Sequence, residues 1–177
     1  MRVIAGELRG RRLVSPPSEA DVRPTPDRVR EALFSIISGD VPGALVLDLY
    51  CGTGALAIEA LSRGAATATL VDTDVALAER NVAALGLENR AEVVRADALD
   101  FLAGAEEEWD LILCDPPYTL AARLQAPLEK LVPERLAADG RLVVESAGRA
   151  PLALSLPVVR ERAYGNTRIS IYGGSDG

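Results

Sequence analysis

The chain has 177 residues, of which 49% are hydrophobic and 25% charged, enough for one domain with a core of its own. It contains no histidine, which excludes a Ser-His-Asp triad and His-ligated metals. Its two cysteines are too few for a disulfide framework or a structural zinc site. No apolar run reaches the roughly 18 residues of a membrane span, and the N-terminus lacks a signal peptide's apolar core. We therefore expect a cytoplasmic protein that needs no metal. We also expect a monomer, which these observations do not decide.

Charge is distributed unevenly along the chain. The formal net charge is −7, which by itself argues against a nucleic-acid partner. Residues 1–30, however, hold seven arginines against four acids, whereas the remaining 147 residues hold 12 basic and 22 acidic groups. Arginine favours bidentate phosphate contacts and stacking on bases. The arginine-rich start thus indicates a nucleic-acid contact, although a solvated face with a compositional bias would give the same pattern.

The N-terminal part predicts a hairpin, a loop and a helix. Residues 2–14 read as two short strands around a glycine-containing turn, and residues 15–25 form a proline-rich loop. Thr25 is the predicted cap of the helix that follows, and Pro26 is its predicted first residue. Apolar residues at helical spacing then mark a buried face: Val29, Ala32, Leu33, Ile36 and Ile37.

From residue 45 onward, predicted strands and helices alternate. The strands cover residues 45–49, 69–71, 92–95, 109–114 and 141–145. Helices cover residues 55–64 and 120–138, the latter with interruptions expected near Pro127 and Pro133. Between them, Asp74 can cap a further helix that Gly86 stops. Near-continuous apolar strands are typical of a parallel sheet that helices cover on both faces.

The last two predicted strands, 158–164 and 167–172, flank Gly165-Asn166 without an intervening helix. This is a hairpin signal, so the last strand should run antiparallel. We predict an α/β, Rossmann-like, class I S-adenosylmethionine-dependent methyltransferase fold. Its mostly parallel seven-stranded sheet should have the order 3-2-1-4-5-7-6 and an antiparallel last strand. Residues 1–25 would form a small N-terminal β-hairpin extension, and residues 26–177 the methyltransferase domain.

A glycine-rich motif, Asp48-Leu-Tyr-Cys-Gly52-Thr-Gly54-Ala-Leu-Ala57, runs from a buried strand into a helix. Glycines there let the backbone turn sharply and pass close to a ligand. Gly52-x-Gly54-x-x-Ala57, with Asp72 placed to hold a ribose, also satisfies the dinucleotide fingerprint. A tight turn without any ligand would need the same glycines.

Acids end three successive predicted strands: Asp48, Asp72 and Asp97. The carboxyl ends of the strands form the ligand crevice of such sheets. Asp48 would face the amino or sulfonium side of S-adenosylmethionine, whereas it would repel a pyrophosphate. Asp72 would accept the ribose hydroxyls, and Asp97 would meet the adenine amino group. Each acid alone could be an ordinary turn or cap residue, but together they favour S-adenosylmethionine as cofactor.

The segment Asp115-Pro116-Pro117-Tyr118 directly follows the apolar strand at residues 109–114. Two prolines fix the backbone and remove two N–H donors, so that carbonyls can point outward. The Asp115 carboxylate and a proline carbonyl could accept both hydrogens of an exocyclic amine, while Tyr118 could stack on a base. The motif predicts methyl transfer to an amine, promoted by positioning. A Pro-Pro turn beside an incidental aromatic residue is the simpler interpretation.

These segments resemble known signatures. Asp115-Pro-Pro-Tyr118 looks like the amino-methyltransferase signature D/N-P-P-Y/F. The segment Arg2-Val-Ile-Ala-Gly6 with Arg9-Gly-Arg-Arg-Leu13 resembles the opening of the RsmD family. Residues 23–34 (RPTPDRVREALF) and 48–61 resemble the same family. The resemblance covers nearly the whole chain and implies methylation of the exocyclic N2 of one guanine in 16S ribosomal RNA.

The resemblance also implies roles for individual residues. The cofactor-binding residues would be Asp48, Tyr50, Gly52, Gly54, Asp72, Thr73, Asp97, Ala98 and Asp115. The catalytic residues that hold the base would be Asp115, Pro116, Pro117 and Tyr118. The RNA-binding residues would be Arg2, Arg9, Arg11, Arg12, Arg23, Thr25, Arg28 and Arg30. Because the net charge is −7, we expect 16S rRNA within an assembling small ribosomal subunit as the substrate.

Other functions stay open at this point. DNA adenine-N6 and protein-glutamine N5 methyltransferases share the amino-methyltransferase signature, and a non-catalytic RNA-binding module or an NAD-dependent oxidoreductase could share the fold. We also predict that the thiols of Cys51 and Cys114 lie close together near the crevice, because they follow or end strands that should be neighbours.

Overall fold

The computed structural model describes residues 1–16, 26–149 and 151–173. The helices are α1 (Asp27–Ile36), α2 (Ala55–Ser62), α3 (Ala76–Leu85), α4 (Ala98–Gly104) and α5 (Ala121–Leu131). The strands are β1 (Leu45–Leu49), β2 (Thr67–Asp72), β3 (Ala91–Arg95), β4 (Trp109–Cys114), β5 (Leu136–Ala147), β6 (Val158–Tyr164) and β7 (Thr167–Gly173). No helix in the described part of the chain is both long and apolar enough to cross a membrane.

All seven strands form one sheet in the order β3-β2-β1-β4-β5-β7-β6. The pairs among β1 to β5 are parallel, whereas β7 is antiparallel to both β5 and β6. The predicted fold, strand order and antiparallel last strand are thereby confirmed. Since β1 and β4 are neighbours, the loops that follow them leave the same edge of the sheet side by side. We call this the carboxyl edge.

Helices cover both faces of the sheet and thereby bury the central strands on both sides. One buried cluster joins alternate strand residues to α1, α2 and α3, and it includes Leu33, Ala57 and Val82. We call this side the arm face. The second cluster joins the other strand residues to α4 and α5, and it includes Leu102 and Leu128.

Residues 1–14, here called the N-terminal arm, fold back on themselves on the arm face. A single antiparallel bridge joins Arg2 to Arg12, so the predicted hairpin exists but has only this bridge in place of two strands. Val3 and Leu13 are buried in the same cluster as the helices. The division of the chain at residue 25 stays a prediction.

Polar side chains of α2 hold the arm in place. Glu59 is buried, and its two carboxylate oxygens accept the N–H groups of Ile4 at 2.8 Å and Ala5 at 3.0 Å. The Arg63 guanidinium lies 2.7 Å from Glu59 and compensates its charge. The Ser62 hydroxyl donates to the Ala5 carbonyl at 2.6 Å. A buried carboxylate with these partners fixes the arm strongly, since each unpaired group would be costly.

Four details differ from the sequence prediction. α4, a short helix that Asp97 caps, was not among the predicted helices. Pro26 precedes α1 as its N-cap instead of being its first residue, while Thr25 lies outside the described residues. α5 continues through Pro127 without interruption, because Leu124 and Leu128 bury its inner face and offset the lost hydrogen bond. β5 starts at Leu136, within the predicted helical stretch, and meets β4 through an irregular register.

We expect Gly6→Ala to loosen the arm far more than Gly10→Ala. Both glycines have positive φ (84° and 81°), so both substitutions carry a backbone strain of about 1–2 kcal/mol. An added Cβ at Gly6 would stand 1.8 Å from the Ser62 carbonyl oxygen, whereas no described atom lies within 4 Å at Gly10. Urea unfolding should show the larger loss for Gly6→Ala, and limited proteolysis should cleave its arm faster. Equal losses for both variants would contradict this packing.

Candidate active site

The loop after β1 bends through three left-handed backbone positions. Tyr50, Gly52 and Gly54 have φ of 62°, 53° and 76°. At Gly54 an added Cβ would lie 2.7 Å from a Leu70 methyl group, which would have to shift, and the positive φ also disfavours a side chain there. At Gly52 no described atom lies within 4 Å of an added Cβ, and the backbone borders open space. The glycines were predicted from the motif. The left-handed conformation of Tyr50, which is strained for a residue other than glycine, was not predicted.

Asp48, near the end of β1, is only 1% exposed. Its Oδ2 accepts the Ala57 N–H at 3.1 Å, while Oδ1 has no hydrogen-bond partner among the described residues. Burial raises the pKa of Asp48 to about 8, and the nearby charges of Asp115 and Asp72 add to this rise. The carboxyl group is therefore largely protonated at neutral pH. A cationic group beside Oδ1 would satisfy this atom and stabilise the carboxylate.

Asp72, at the end of β2, holds the glycine loop. Its Oδ2 accepts the Gly52 N–H at 2.9 Å, and its Oδ1 is 3.3 Å from the Asp74 amide nitrogen. Thr73 beside it is exposed. These bonds give Asp72 a positioning role in addition to the ribose contact predicted from its place at the strand end.

Asp97 follows β3 and is the N-cap of α4. Its Oδ1 accepts the N–H groups of Leu99 at 2.9 Å and Asp100 at 3.2 Å. The side chain is exposed at the carboxyl edge, whereas Ala98 is buried behind it. The simpler interpretation of a cap is thus correct for Asp97, and the cap still places its carboxylate at the crevice.

The loop that follows β4 carries the predicted catalytic residues. The Asp115 amide donates to the Leu49 carbonyl at 3.4 Å, which joins this loop to the end of β1. Pro116 is buried, whereas Tyr118 is 51% exposed. The Pro117 carbonyl accepts the Leu120 N–H at 2.9 Å, so the Pro116 carbonyl is the better candidate acceptor for a substrate amine. Asp48 and Asp115 thus lie at neighbouring points of one edge.

Tyr118 also reaches the far end of the sheet. Its hydroxyl lies 3.4 Å from the Thr167 hydroxyl at the start of β7. No sequence pattern indicates this contact, because the two residues are 49 positions apart. The side chain is still half exposed.

The polar residue Asn81 of α3 links the arm to the glycine loop. This role was not predicted from the sequence. It is 1% exposed, its Oδ1 accepts the Val14 N–H at 2.7 Å, and its Nδ2 donates to the carbonyls of Val14 at 3.0 Å and Thr53 at 2.9 Å. The arm and the loop that borders Gly52 are therefore held by one side chain.

The predicted RNA-binding arginines differ in their placement. Arg2, Arg9 and Arg28 are exposed and line a cleft of about 330 Å³ between the arm and α1. Arg11 and Arg12 are also exposed, and Arg11 donates to the Ala84 carbonyl at 3.2 Å. Arg23 and Thr25 lie outside the described residues.

Arg30 was predicted to bind RNA, but the structure places it in the interior. Its side chain is 1% exposed, and one terminal nitrogen donates to the Arg2 carbonyl at 2.6 Å and to Asp27 at 2.9 Å. The guanidinium therefore anchors the arm to α1 instead of facing solvent. Its helical spacing with Leu33 and Phe34 places it on the buried face.

The predicted proximity of the two thiols is wrong. Cys51 packs in the cluster on the arm face, and Cys114 packs in the cluster on the other face. Both are free and buried, and burial raises the pKa of each thiol. Neighbouring strands therefore do not bring these side chains together, because Cys51 lies in the loop beyond β1.

We expect Asp48→Asn to become more stable relative to the wild type as pH rises. The pKa of Asp48 is about 8 in the folded chain against an ordinary value of 3.8, so the wild type loses stability between about pH 4 and pH 8. The amide escapes this loss while its oxygen still accepts the Ala57 N–H. The difference in unfolding free energy should grow by about 2–4 kcal/mol from pH 5 to pH 8.

Urea unfolding across this pH range tests the Asp48 prediction. Asp139→Asn, on an exposed residue, is the matched control and should follow the wild type. Parallel pH curves for Asp48→Asn and the wild type would contradict the raised pKa.

Comparison with known proteins places the chain in a family. Residues 1–173 match the sequence model of the family described as conserved hypothetical protein 95. The ribosomal RNA small subunit methyltransferase D of Escherichia coli (strain K12) is 36% identical over 179 residues, which cover 97% of this chain and 89% of that protein. A solved structure described as the putative methyltransferase yhhF from Escherichia coli is 35% identical, with a TM-score of 0.82 over 98% of this chain and 97% of that one.

A more distant solved structure has the same fold. The RNA methyltransferase from Salinibacter ruber, in complex with S-adenosyl-L-homocysteine, is 18% identical, with a TM-score of 0.67 over 88% of this chain and 95% of that one. The sheet described above is that of the S-adenosylmethionine-dependent methyltransferases. With this fold, and with the matches along nearly its whole length, the chain belongs to the RsmD family of methyltransferases.

Proposed function

We propose that this protein transfers a methyl group from S-adenosylmethionine to the exocyclic N2 of one guanine in 16S rRNA, within an assembling small ribosomal subunit. The observation that carries the proposal is the position of the Asp115–Pro116–Pro117–Tyr118 loop directly beside the buried Asp48. The name of the Escherichia coli relative supports a small-subunit rRNA as the substrate.

The residues at the carboxyl edge fit S-adenosylmethionine. Asp48 offers an unpartnered buried oxygen to the cofactor's ammonium group, Gly52 lets the backbone approach closely, and the exposed Asp97 can reach an adenine amino group. Asp72 keeps the loop in place from the side where a ribose would lie. When bound, the cofactor supplies a methyl group on a cationic sulfonium, from which an amine nitrogen can take it.

Asp115 and Pro116 orient the amine of the target base. A carboxylate and a carbonyl that accept its two N–H groups turn the nitrogen lone pair toward the methyl group, and this positioning lowers the barrier. The bound cofactor would supply the methyl carbon as an electrophile to this nitrogen, and the electron pair of the broken carbon–sulfur bond would stay on the sulfur. The methylated nitrogen then loses one proton, which the Asp115 carboxylate would accept.

Tyr118 would stabilise the target guanine after it has left the base stack of the RNA. A guanine in folded RNA is stacked, so it must turn out into the site at a cost of a few kcal/mol. Stacking on the half-exposed ring would offset about 1–3 kcal/mol of this cost. The hydroxyl contact to Thr167 holds the ring in place but is long and exposed.

We expect Asp115→Ala to slow methyl transfer by about 100-fold or more while S-adenosylmethionine still binds. Small ribosomal subunits that lack the modification are mixed with excess enzyme and labelled cofactor, and single turnovers are followed.

In the same single-turnover assay, Tyr118→Ala should lower both RNA affinity and the methyl-transfer rate. Tyr118→Phe should stay within about threefold of the wild type because the ring face is retained. Nucleoside analysis should identify N2-methylguanosine; a near-normal rate in Asp115→Ala would remove this loop from the mechanism.

We expect the exposed arm arginines to bind RNA phosphates. Arg9→Gln combined with Arg12→Gln should weaken binding of the particles and reduce the salt slope of log K by about 1.4–1.8. Arg30→Gln is the contrasting variant: because Arg30 is buried, it should lower stability and leave the salt slope unchanged. A double variant with the wild-type salt slope would contradict the role of the arm.

A further inference from the structure

Basic residues are concentrated a second time near the C-terminus. Residues 146–173 hold four arginines and one glutamate, whereas residues 31–145 hold eight basic and twenty acidic groups. The central part of the chain is therefore strongly negative, and both terminal parts are positive. The arm accounts for only one of these two positive regions.

The C-terminal positive region lies beside the catalytic loop. β7 is antiparallel to β5 and β6, so β6 runs in the direction of β5 and ends at the carboxyl edge. The turn after β6 contacts the end of β5, where the Gly148 N–H donates to the Asn166 carbonyl at 2.7 Å. Thr167 directly after this turn lies 3.4 Å from the Tyr118 hydroxyl. The tip of the β6–β7 hairpin is thus a wall of the same site.

The exposed arginines of β6 lie on the arm face. Arg160 pairs with Ile171 and Arg162 pairs with Ile169, and both isoleucines belong to the cluster on the arm face. Side chains of directly paired residues project to the same face of a sheet. Both arginines are exposed along the edge strand.

The single acid of this hairpin does not offset the two arginines. Glu161 alternates with them along β6 and so projects to the other face. There its carboxylate accepts from the Ser170 hydroxyl at 3.0 Å and pairs with Arg168 at 3.3 Å. On the arm face, therefore, β6 presents positive charge.

We propose that the β6–β7 hairpin is a second RNA-binding surface, in which Arg160 and Arg162, together with the exposed Arg149 next to Gly148, bind phosphates that flank the target guanine. This inference rests on the proposed function. The arm packs against α2 and α3, and its Glu7 forms an ion pair with Arg90, directly before the edge strand β3. The hairpin contains β6, the edge strand at the other side of the sheet. The two surfaces are therefore separated in the strand order. The catalytic loop after β4 lies between them.

The test compares two double variants that each remove two exposed positive charges. Arg160→Gln with Arg162→Gln changes the hairpin surface. Arg123→Gln with Lys130→Gln changes α5 on the opposite face and is the matched control. Binding of small ribosomal subunits that lack the modification is measured over a range of salt concentrations. Calorimetry with S-adenosylmethionine and thermal unfolding report on the cofactor site and the fold.

The hairpin variant should bind the particles about tenfold more weakly, with a salt slope lower by about 1.4–1.8, while the control matches the wild type. Its cofactor affinity and unfolding temperature should stay unchanged. Arg149→Gln, on a separate segment, should weaken binding by about threefold and keeps the test independent of β6. Particle affinities equal to the control in both variants would overturn the surface while leaving the proposed function intact. A wild type that binds the cofactor but neither binds nor methylates the particles would overturn both.

Discussion

The buried carboxyl group of Asp48 is the constraint around which the site is arranged. Its strand is central in the sheet, so the group is almost fully removed from water, and a single N–H is its partner among the described residues. Asp72 and Asp115 stand close enough to raise its pKa further. An edge with three acidic side chains favours a cationic ligand and disfavours a phosphate. The site that fits a sulfonium cofactor is therefore unsuited to bind the RNA backbone, which must be bound elsewhere.

The arm, which we propose as one such RNA-binding surface, is fixed by buried polar groups. Glu59 and Asn81 bind its backbone from α2 and α3, and the buried Arg30 holds it from α1. Each of these groups would be costly if left unpaired, so the arm cannot leave without a large loss of free energy. Since Asn81 also binds the Thr53 carbonyl, the loop of the cofactor site and the arm share one anchor. The basic surface is thus a rigid part of the fold and not a loose tail.

Much of the fold follows from local pattern. Apolar runs predict the five parallel strands, and the Gly165-Asn166 turn predicts the hairpin and the antiparallel end, because burial and turn chemistry act over a few residues. The anchors of the arm could not be predicted: a glutamate within a helix, such as Glu59, normally faces solvent, and only the folded chain shows what covers it. The buried position of Arg30 could have been predicted, since its spacing from Leu33 and Phe34 places it on the buried face of α1. The Tyr118–Thr167 contact depends on sheet order and on loop shape, and sequence spacing carries no trace of it.

The distribution of charge over the two faces explains how an acidic chain can act on RNA. The other face carries acids around α4, where Asp100, Glu106 and Glu107 line a cleft, and RNA would be repelled there. On the arm face, exposed arginines stand on the arm and on β6. The distribution of charge over the two faces therefore selects which face the RNA can approach, and the net charge of −7 does not prevent binding. Because the Debye length is about 8 Å at physiological salt, the negative face is screened from RNA bound on the positive one. Local charge near the site decides the contact, and the sum over the whole chain does not.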